Sequence, residues 1–303
     1  MTEIERIIQK GIITEDFLKE ENRNGFLITT ERKKLWAVIL DLIVEFDRVC
    51  RKHNIRYYLD GGSLLGAIRH GGFIPWDDDI DVAMPRADYE KFIRLTADFK
   101  APYFLQTPLT DPESFYSYAK IRNSNTTGIS EMFKYQNFNH GIWMTIFPLD
   151  NFSINKTCEE AYAKICQLTY ENSTYMRMKN PNLDEKNRLR VRNYSGRNPL
   201  DTYMEIQRLA SQFNTEETDY WGTLTITIRE FKRKALPRKA YEQVRYQQFE
   251  NIELPIPFEY DTVLRLEYGD YMNLPPVEER GGHDGTIFDA DKPYTEYLKS
   301  SIR

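Results

Sequence analysis

The chain has 303 residues, of which 41% are hydrophobic, and carries a formal net charge of −5 from 41 basic and 46 acidic side chains. This length and composition suffice for one large domain or two closely joined ones. No stretch concentrates lysine and arginine as a nucleic-acid groove requires, and neither a signal peptide nor a run of about 18 apolar residues is evident. We therefore expect a cytoplasmic protein that does not bind nucleic acid.

The first half of the chain predicts helices around a β-rich centre. Apolar residues from Leu35 to His53 recur at helical spacing after Thr29 and Thr30, two N-cap candidates, and predict one long helix. The elements predicted after it are a strand at 55–60, a turn and short helix at 61–72, a strand at 79–84, a helix at 86–99 and strands at 102–107, 115–123 and 140–150.

The pattern changes after residue 155. Two long helical stretches, at 156–179 and 200–213, are separated by a charged, polar segment around 180–198. Prolines near the end of the chain flank one short helix and predict a segment that wraps over the surface. We expect an N-terminal extension over 1–30, a core over 31–155 and a mainly helical region over 156–303 whose C-terminal segment packs back on the core.

The string FIPWDDDIDVAMP (73–85) places four acids within five positions. Two carboxylates two residues apart on a strand lie roughly 6 to 7 Å apart and, at an effective dielectric near 20, repel by about 2.5 kcal/mol. A compensating positive charge is therefore expected, and one or two Mg²⁺ ions suit these donors. We predict Asp79 and Asp81 as metal ligands and Asp78 as a further ligand, or as a residue that, like Asp77, orients the loop. An exposed acidic turn is the alternative.

Residues before and after the acids are candidates for binding a phosphorylated substrate. Gly61, Gly62 and Ser63 open a short helix whose free N–H groups and dipole suit a phosphate, with an ordinary N-cap as the alternative. Trp76 is predicted as a packing anchor or, alternatively, as a ligand-stacking ring. Four basic side chains are further candidates for phosphate contacts, with surface salt bridges as the alternative: Arg69, His70, Lys120 and Arg122.

The spacing between the glycine-serine turn and the acid-x-acid strand is the signature of the nucleotidyltransferase fold. The string YYLDGGSLLGAIRHGGFIPWDDDIDVAMPRADYEKF (57–92) further resembles the hallmark segment of the LicD family of phosphotransferases, to which the fukutin-related proteins are akin. The resemblance continues in YAKIRNSNT, in HGIWMTIFPLDN and in YGDYMNLPP with Arg280 and His283. It implies an α+β fold with a nucleotidyltransferase-like mixed sheet and flanking helices, followed by a mainly helical C-terminal half.

The resemblance also implies a reaction. It is the Mg²⁺-dependent transfer of a phosphorylated alcohol, with phosphocholine from CDP-choline favoured and Mn²⁺ as an alternative ion. The acceptor is a sugar hydroxyl of a cell-surface polysaccharide, such as a teichoic acid, or of its lipid-linked precursor. A lipid-linked acceptor implies at most peripheral contact with the inner face of the membrane. A transferase that attacks the α-phosphate of a nucleoside triphosphate is the alternative enzyme.

One position departs from the pattern of the family. Members of the LicD family usually have an aspartate where this chain has Thr145, and in the nucleotidyltransferase fold that third carboxylate completes the metal site. A weakened enzyme or a pseudoenzyme that binds donor or acceptor is therefore a further alternative. Asp150 and Glu131 are candidates to replace the carboxylate. The aromatic residues considered for holding a choline group are Tyr57, Tyr58, Tyr116, Tyr118, Trp143 and Phe147.

Overall fold

The computed structural model describes residues 1–131, 133–177, 198–227, 230–283 and 285–301, together with the single residues 180, 185 and 189. The helices in these ranges are α1 (Glu3–Gln9), α2 (Thr30–Lys52), α3 (Gly61–Arg69), α4 (Arg86–Phe92), α5 (Lys156–Arg177), α6 (Pro199–Ser211), α7 (Tyr260–Tyr268) and α8 (Tyr294–Ser301). The strands are β1 (Glu21–Arg23), β2 (Phe26–Ile28), β3 (Tyr58–Leu59), β4 (Asp81–Pro85), β5 (Tyr103–Gln106), β6 (Ala119–Asn123), β7 (Thr127–Ser130), β8 (Ile142–Phe152), β9 (Tyr220–Gly222), β10 (Leu236–Pro237), β11 (Val244–Phe249), β12 (Ile252–Pro257) and β13 (Thr286–Asp289).

A seven-stranded mixed sheet forms the centre of the molecule. Strands β10, β9, β8, β4 and β3 lie side by side in that order, while β6 pairs with β8 and β5 pairs with β6. The β4–β8 pair is parallel, and the other pairs of this sheet are antiparallel. The start of β8 pairs with β6 and its end pairs with β9. The predicted α+β fold with a mixed sheet is therefore confirmed.

Helix α2 packs against this sheet, and its buried stripe is the one that the sequence predicts. It contacts β6 and β8. The Thr29 hydroxyl accepts a hydrogen bond from the Arg32 N–H at its start, and His53 caps its end. The buried apolar residues of the predicted stripe are Leu35, Ile39, Leu42, Phe46 and Val49. Burying such side chains stabilises the fold by about 1.5 to 3 kcal/mol each.

Several predicted elements differ in length from the observed ones. Strand β4 begins at Asp81, two residues later than predicted. Helix α4 ends at Phe92 and not near residue 99, since a short 3₁₀ turn takes up Thr96–Asp98. Strand β7 was not predicted. Its partner β13 lies about 160 residues further along the chain, and a four-residue strand with so distant a partner has no local sequence signal.

The second half contains the two predicted long helices and, in addition, strands that the sequence did not indicate. Helices α5 and α6 pack on each other. Strands β9 and β10 extend the central sheet, and β11 pairs with β12 in a hairpin that contains Pro255 and Pro257. A two-stranded ribbon tolerates these prolines because each strand has an edge without a ladder partner. The predicted polar segment at 180–198 lies mostly outside the described residues.

Segments near the end of the chain contact elements of the first half. Helix α7 contacts α3, and β12 contacts β3. At the other end, α1 is attached to α2 by Arg6, which pairs with Glu3 and with the buried Asp41. The boundaries of the three predicted regions stay a prediction. Among the residues that the structure describes, no helix is both long and apolar enough to span a bilayer.

Candidate active site

Three adjacent strands place Asp81, Thr145 and Lys120 in one row across the central sheet. Asp81 in β4 is paired directly with Thr145 in β8, and Thr145 is paired with Lys120 in β6. Directly paired residues on neighbouring strands point to the same face of a sheet. The Thr145 N–H also donates to the Ile80 carbonyl oxygen at 3.0 Å. Thr145 therefore lies beside the acids, in the place that its strand pattern predicts.

The acids crowd together at the start of β4. Asp79 lies in the segment just before the strand, whereas it was predicted on the strand itself. Burial raises the pKa of Asp77 to about 7, and the charge of Asp79 adds to this effect. Burial also raises the pKa of Asp79. For Asp81, burial and the neighbouring carboxylates, Asp79 first, raise the pKa well above its usual value. The repulsion expected from the sequence is therefore present in the fold.

A histidine from the end of the chain supplies a partner for these acids. The Asp78 carboxylate accepts a hydrogen bond from the His283 backbone N–H at 2.7 Å and one from ring Nδ1 at 2.5 Å. His283 Nε2 lies 3.7 Å from Asp79 Oδ2. The hydrogen bond to Asp78 raises the pKa of His283, although burial opposes the shift. A side chain on Gly282 would overlap the Asp78 carboxylate, so this approach requires glycine.

The site offers donor atoms that fit a divalent cation. One ligand atom each from Asp78, Asp79 and His283 lie within 4.8 Å of one another. Carboxylate oxygens suit Mg²⁺ and Mn²⁺, and an imidazole nitrogen is a better ligand for Mn²⁺ than for Mg²⁺. Asp81 lies close enough to Asp79 for that carboxylate to raise its pKa. The observed cluster thus contains two of the three predicted ligands together with a histidine.

The turn before α3 is held tightly against the acids. The Ser63 hydroxyl accepts a hydrogen bond from the Asp81 N–H at 2.8 Å, so it anchors the start of β4. Gly61 has a φ of +52°, a conformation that glycine adopts without strain. A Cβ atom on Gly62 would lie 3.0 Å from Asp77 Oδ2. Phosphate binding by this turn stays a prediction, with the backbone of Gly61 and Gly62 as its candidate donors.

Three predicted binding residues have partners outside the cluster of acids. They are Arg69, His70 and Trp76. Arg69 donates to the backbone oxygens of Tyr271 at 2.8 Å and of Asn273 at 3.2 Å. It also donates to His70, whose pKa burial lowers to about 4. Arg69 therefore binds the C-terminal segment through Nη1 and His70 through Nε, and phosphate binding by this pair stays a prediction.

The ring of Trp76 is a packing anchor, which was the preferred of its two interpretations. Trp76 is 6% exposed. It packs edge-on against Phe26 at 6.0 Å between ring centroids, and the Arg280 guanidinium lies 5.0 Å from its ring. Its backbone oxygen accepts a hydrogen bond from Arg32. These contacts fix the start of the acidic loop.

Lys120 and Arg122 are both buried, so the alternative of surface salt bridges is wrong for this pair. Arg122 donates from Nε to Gln106 Oε1 at 2.5 Å and from Nη1 to the Gly141 oxygen at 2.7 Å. These contacts give Arg122 a structural role within the sheet. Lys120 lies nearer the acids, since both Asp79 and Asp81 act on its pKa.

Neither candidate replacement for the third carboxylate lies in the row of Asp81. Asp150 follows Thr145 by five positions and so faces the other side of β8. Its carboxylate forms a bidentate ion pair with Arg86, with N···O distances of 2.7 and 2.6 Å, and is fully buried. Glu131 pairs with Lys134 at 2.6 Å and is half exposed. Both carboxylates are therefore engaged elsewhere.

The aromatic candidates divide into two groups. Tyr57 and Tyr58 belong to the hydrophobic core around α2. Tyr116 and Trp143 lie on either side of the Lys120 amine, and Tyr118 packs edge-on against Phe147 at 4.7 Å. The second group therefore lies on the side of the sheet where the acids are.

Two residues of this site had no role in the sequence analysis. Asp60 precedes α3 as its N-cap residue and contributes to the raised pKa of Asp81. Its position just before the glycine turn was the available signal. His283 appeared as part of a resembling segment, but its separation from the acids by 205 residues concealed their contact.

Parts of this chain are similar to known enzymes. Residues 54–164 match the family model described as LicD/FKTN/FKRP, nucleotidyltransferase domain. The chain is 27% identical over 258 residues to the lipopolysaccharide cholinephosphotransferase LicD of Haemophilus influenzae, an alignment that covers 81% of this chain and 93% of that protein. Residues 54–164 therefore form a nucleotidyltransferase domain of the LicD type. The protein is a phosphotransferase of the LicD type.

Other similarities are more local. The ribitol 5-phosphate transferase FKRP of Homo sapiens is 63% identical over 31 residues, which cover 10% of this chain and 6% of that protein. An uncharacterized protein of Rickettsia typhi is 37% identical over 71 residues, or 23% of this chain and 22% of that protein. The region of this chain that matches the family model contains the acids, Lys120 and Thr145, whereas His283 lies beyond it.

Proposed function

We propose that this protein transfers phosphocholine from CDP-choline to a sugar hydroxyl of a cell-surface polysaccharide, such as a teichoic acid, or of its lipid-linked precursor. The observation that carries the proposal is the cluster of Asp78, Asp79 and His283, with Asp81 next to it and hydrogen-bonded to the α3 turn through Ser63. All of these residues except His283 lie within the segment that matches the LicD family model. The similarity to the lipopolysaccharide cholinephosphotransferase of Haemophilus influenzae supports phosphocholine as the transferred group and a polysaccharide as the acceptor.

The residues of the site have different roles in this reaction. Asp78, Asp79 and His283, together with Asp81, would hold a divalent cation, either Mg²⁺ or Mn²⁺. When bound, that ion neutralises charge on the diphosphate and on the oxygen that attacks it. The backbone N–H groups at the start of α3 orient the phosphates. The hydrogen bond between Ser63 and Asp81 holds the α3 turn against the start of β4.

Product analysis tests this proposal against the alternative enzyme. The purified protein is incubated with Mg²⁺, an acceptor saccharide and either CDP-choline or CTP, and the nucleotides are separated by chromatography. Release of CMP from CDP-choline, dependent on acceptor, is the expected result. Release of pyrophosphate from CTP would instead identify a nucleotidyltransferase. The Asp81→Asn variant is the control for contaminating activities.

A binding protein without turnover is a second candidate, and Thr145 is the observation that favours it. A threonine hydroxyl does not serve as a base near neutral pH, so the row of Asp81 lacks a third carboxylate. Calorimetric binding of CDP-choline with no CMP release, over a panel of acceptors, would support this candidate and contradict the transfer reaction.

The choice of choline is tested by comparison of donors. Tyr118 and Phe147 provide aromatic surfaces on the side of the acids, and a methylated ammonium loses less hydration than a primary one when it enters such surroundings. CDP-choline should therefore raise the melting temperature in Mg²⁺ more than CDP-ethanolamine or CDP-ribitol does. An equal or larger shift with CDP-ribitol would assign the donor to the polyol phosphates.

A further inference from the structure

Lys120 is a buried amine next to the candidate metal site that none of the roles above employs. Its side chain is 5% exposed. Nζ lies 4.0 Å from the ring centroid of Tyr116 and 4.3 Å from that of Trp143. In the part of the chain that the structure describes, no oxygen accepts a hydrogen bond from Nζ and no carboxylate lies within ion-pair distance of it. The amine is thus held in place by ring faces and not by an acceptor.

The strand register directs this amine towards the reaction. Lys120 and Asp81 flank Thr145 on the same face of the sheet, each one strand away from it. Neighbouring strands are about 4.8 Å apart, so a substrate group placed over Thr145 lies between the amine and the carboxylates. Lys120 is therefore placed to contact a hydroxyl that attacks a phosphate held at Asp79 and Asp81.

We propose that Lys120 accepts the proton of the acceptor hydroxyl during transfer. The inference rests on the transfer reaction proposed above. The acceptor oxygen forms a bond to the phosphorus next to the alcohol of a nucleoside-diphosphate-linked donor. The bond from that phosphorus to the bridging oxygen breaks, and the nucleoside monophosphate leaves with the electron pair. The hydroxyl proton moves to the lone pair on Nζ and is released to water after the product departs.

Other groups near the row are less suited to this role. The Thr145 hydroxyl is a weak base near neutral pH. Asp79 is assigned to the cation, and His283 is tied to Asp78 through Nδ1. Asp150 faces the other side of β8, where it pairs with Arg86. Among the groups described for this face, Nζ of Lys120 has neither a hydrogen-bond acceptor nor an ion-pair partner.

The surroundings of Lys120 favour the neutral amine, which carries a lone pair. Burial lowers its pKa well below the usual range, and the charge of Arg122 lowers it further. Asp79 and Asp81 act in the opposite direction, and a divalent cation held by these carboxylates would weaken that opposition. The ionisable or charged groups that face the amine are Arg122 on β6, Asp79 and Asp81 at β4, His283 from the late loop, and Tyr116 and Tyr118 ahead of β6. The rings stabilise the ammonium that forms when the proton arrives.

The Lys120→Arg variant distinguishes a residue that accepts a proton from a cation that only contacts phosphate. Lys120→Arg supplies a permanent positive charge and hydrogen-bond donors but cannot accept a proton near neutral pH. We expect Lys120→Arg and Lys120→Met each to lower kcat by about 10² to 10⁴ and to leave the donor KM nearly unchanged. Lys100→Arg, an exposed site, is the matched control. Melting temperatures establish that each variant is folded.

Two further measurements make the assignment decisive. In the double variant Lys120→Met/Thr145→Asp, a carboxylate stands one strand nearer the acids, and it should restore part of the lost kcat. In the unchanged protein with Mg²⁺, the ¹⁵N resonance of the Lys120 amine should be that of a neutral group at pH 7.5 and should be absent from Lys120→Met. An ammonium signal at that pH would overturn the proposal.

The outcomes distinguish this inference from the proposed function. If the unchanged protein transfers no group from any CDP-alcohol, the proposed function fails. If the unchanged protein does transfer, and Lys120→Arg retains its kcat and pH profile, Lys120 is a phosphate-binding cation and the inference alone is overturned. A rise in donor KM at constant kcat in Lys120→Arg would likewise contradict a role in proton transfer.

Discussion

The carboxylate of Asp78 accepts two hydrogen bonds from His283, a residue 205 positions later in the chain. One comes from the backbone N–H and one from the ring, so the bonds fix both the loop that carries His283 and the orientation of its imidazole. The other ring nitrogen then faces Asp79 at 3.7 Å. The end of the chain thus closes over the acids and completes the candidate metal site.

Removal of the imidazole should weaken metal binding. For His283→Ala we expect the affinity for Mn²⁺, measured by calorimetry, to fall by about 10- to 100-fold, the usual cost of losing a ligand or its orienting partner. His53→Ala is the control, because His53 pairs with Asp98 outside this site at 2.9 Å. Equal Mn²⁺ affinity in the two variants would show that His283 has no part in metal binding.

Neutralisation of the central acids should abolish turnover without unfolding the protein. Asp79→Asn and Asp81→Asn should each reduce the transfer rate by at least about a hundredfold, because the main electrostatic stabilisation of the transferred charge is lost. Glu131→Gln is the control, since Glu131 pairs with Lys134. Near-normal rates in both aspartate variants would refute their assignment as metal ligands.

The same variants should alter the pH dependence of the metal-free protein. Carboxyls whose pKa is raised in the fold, as for Asp77 (to about 7) and Asp81, bind protons more tightly in the folded than in the unfolded state. The free energy of unfolding therefore falls as the pH rises from about 4 towards 7. Asp81→Asn should reduce this fall and raise the melting temperature at pH 7 in EDTA. A lower melting temperature would contradict the predicted repulsion.

Substitution of Thr145 by aspartate should strengthen the metal site. Because Thr145 is paired with Asp81, Thr145→Asp adds a carboxylate on the same face and should bind Mg²⁺ more tightly in calorimetry. Thr145→Val, which has a similar shape and no oxygen, is the matched control. If aspartate and valine give the same affinity, the side chain at 145 does not reach the ion.

The ion pair of Arg86 and Asp150 should stabilise the fold and not the reaction. Asp150→Ala leaves the guanidinium of Arg86 buried without its partner, so the free energy of unfolding in urea should fall by about 3 to 5 kcal/mol. The double variant Arg86→Met/Asp150→Leu removes both charges and should recover most of this loss. If the double variant recovers its stability but its transfer rate per folded molecule stays low, Asp150 belongs to the active site.

A buried histidine should make the fold sensitive to acid. Burial lowers the pKa of His140 to about 4, whereas its value in an unfolded chain is about 6.5. Between these values the unfolded chain binds a proton that the fold excludes. The free energy of unfolding should therefore decrease by up to about 3 kcal/mol as the pH falls from 6.5 to 4. Urea titrations of the unchanged protein and of His140→Phe at several pH values measure this contribution, which the variant should lack.

The sequence by itself determined the elements whose signal is local. The buried stripe of α2 follows from apolar residues at helical spacing, and the start of α3 follows from a glycine turn after a short strand. The crowding of the acids was also readable, because four carboxylates in five positions repel in any compact arrangement. The LicD resemblance of residues 57–92 similarly lies in one continuous string.

Tertiary structure decided which of these side chains are available for chemistry. Arg69, Arg122 and Lys120 are all basic side chains, but backbone carbonyls bind the first two, while the Lys120 amine lies against aromatic rings. No local pattern distinguishes the three, because each outcome depends on segments far apart in the chain. The contact of His283 with Asp78 and the β7–β13 pair are of the same kind. Strand register and long-range packing set these partners, and period-2 or period-3.6 patterns carry no information about them.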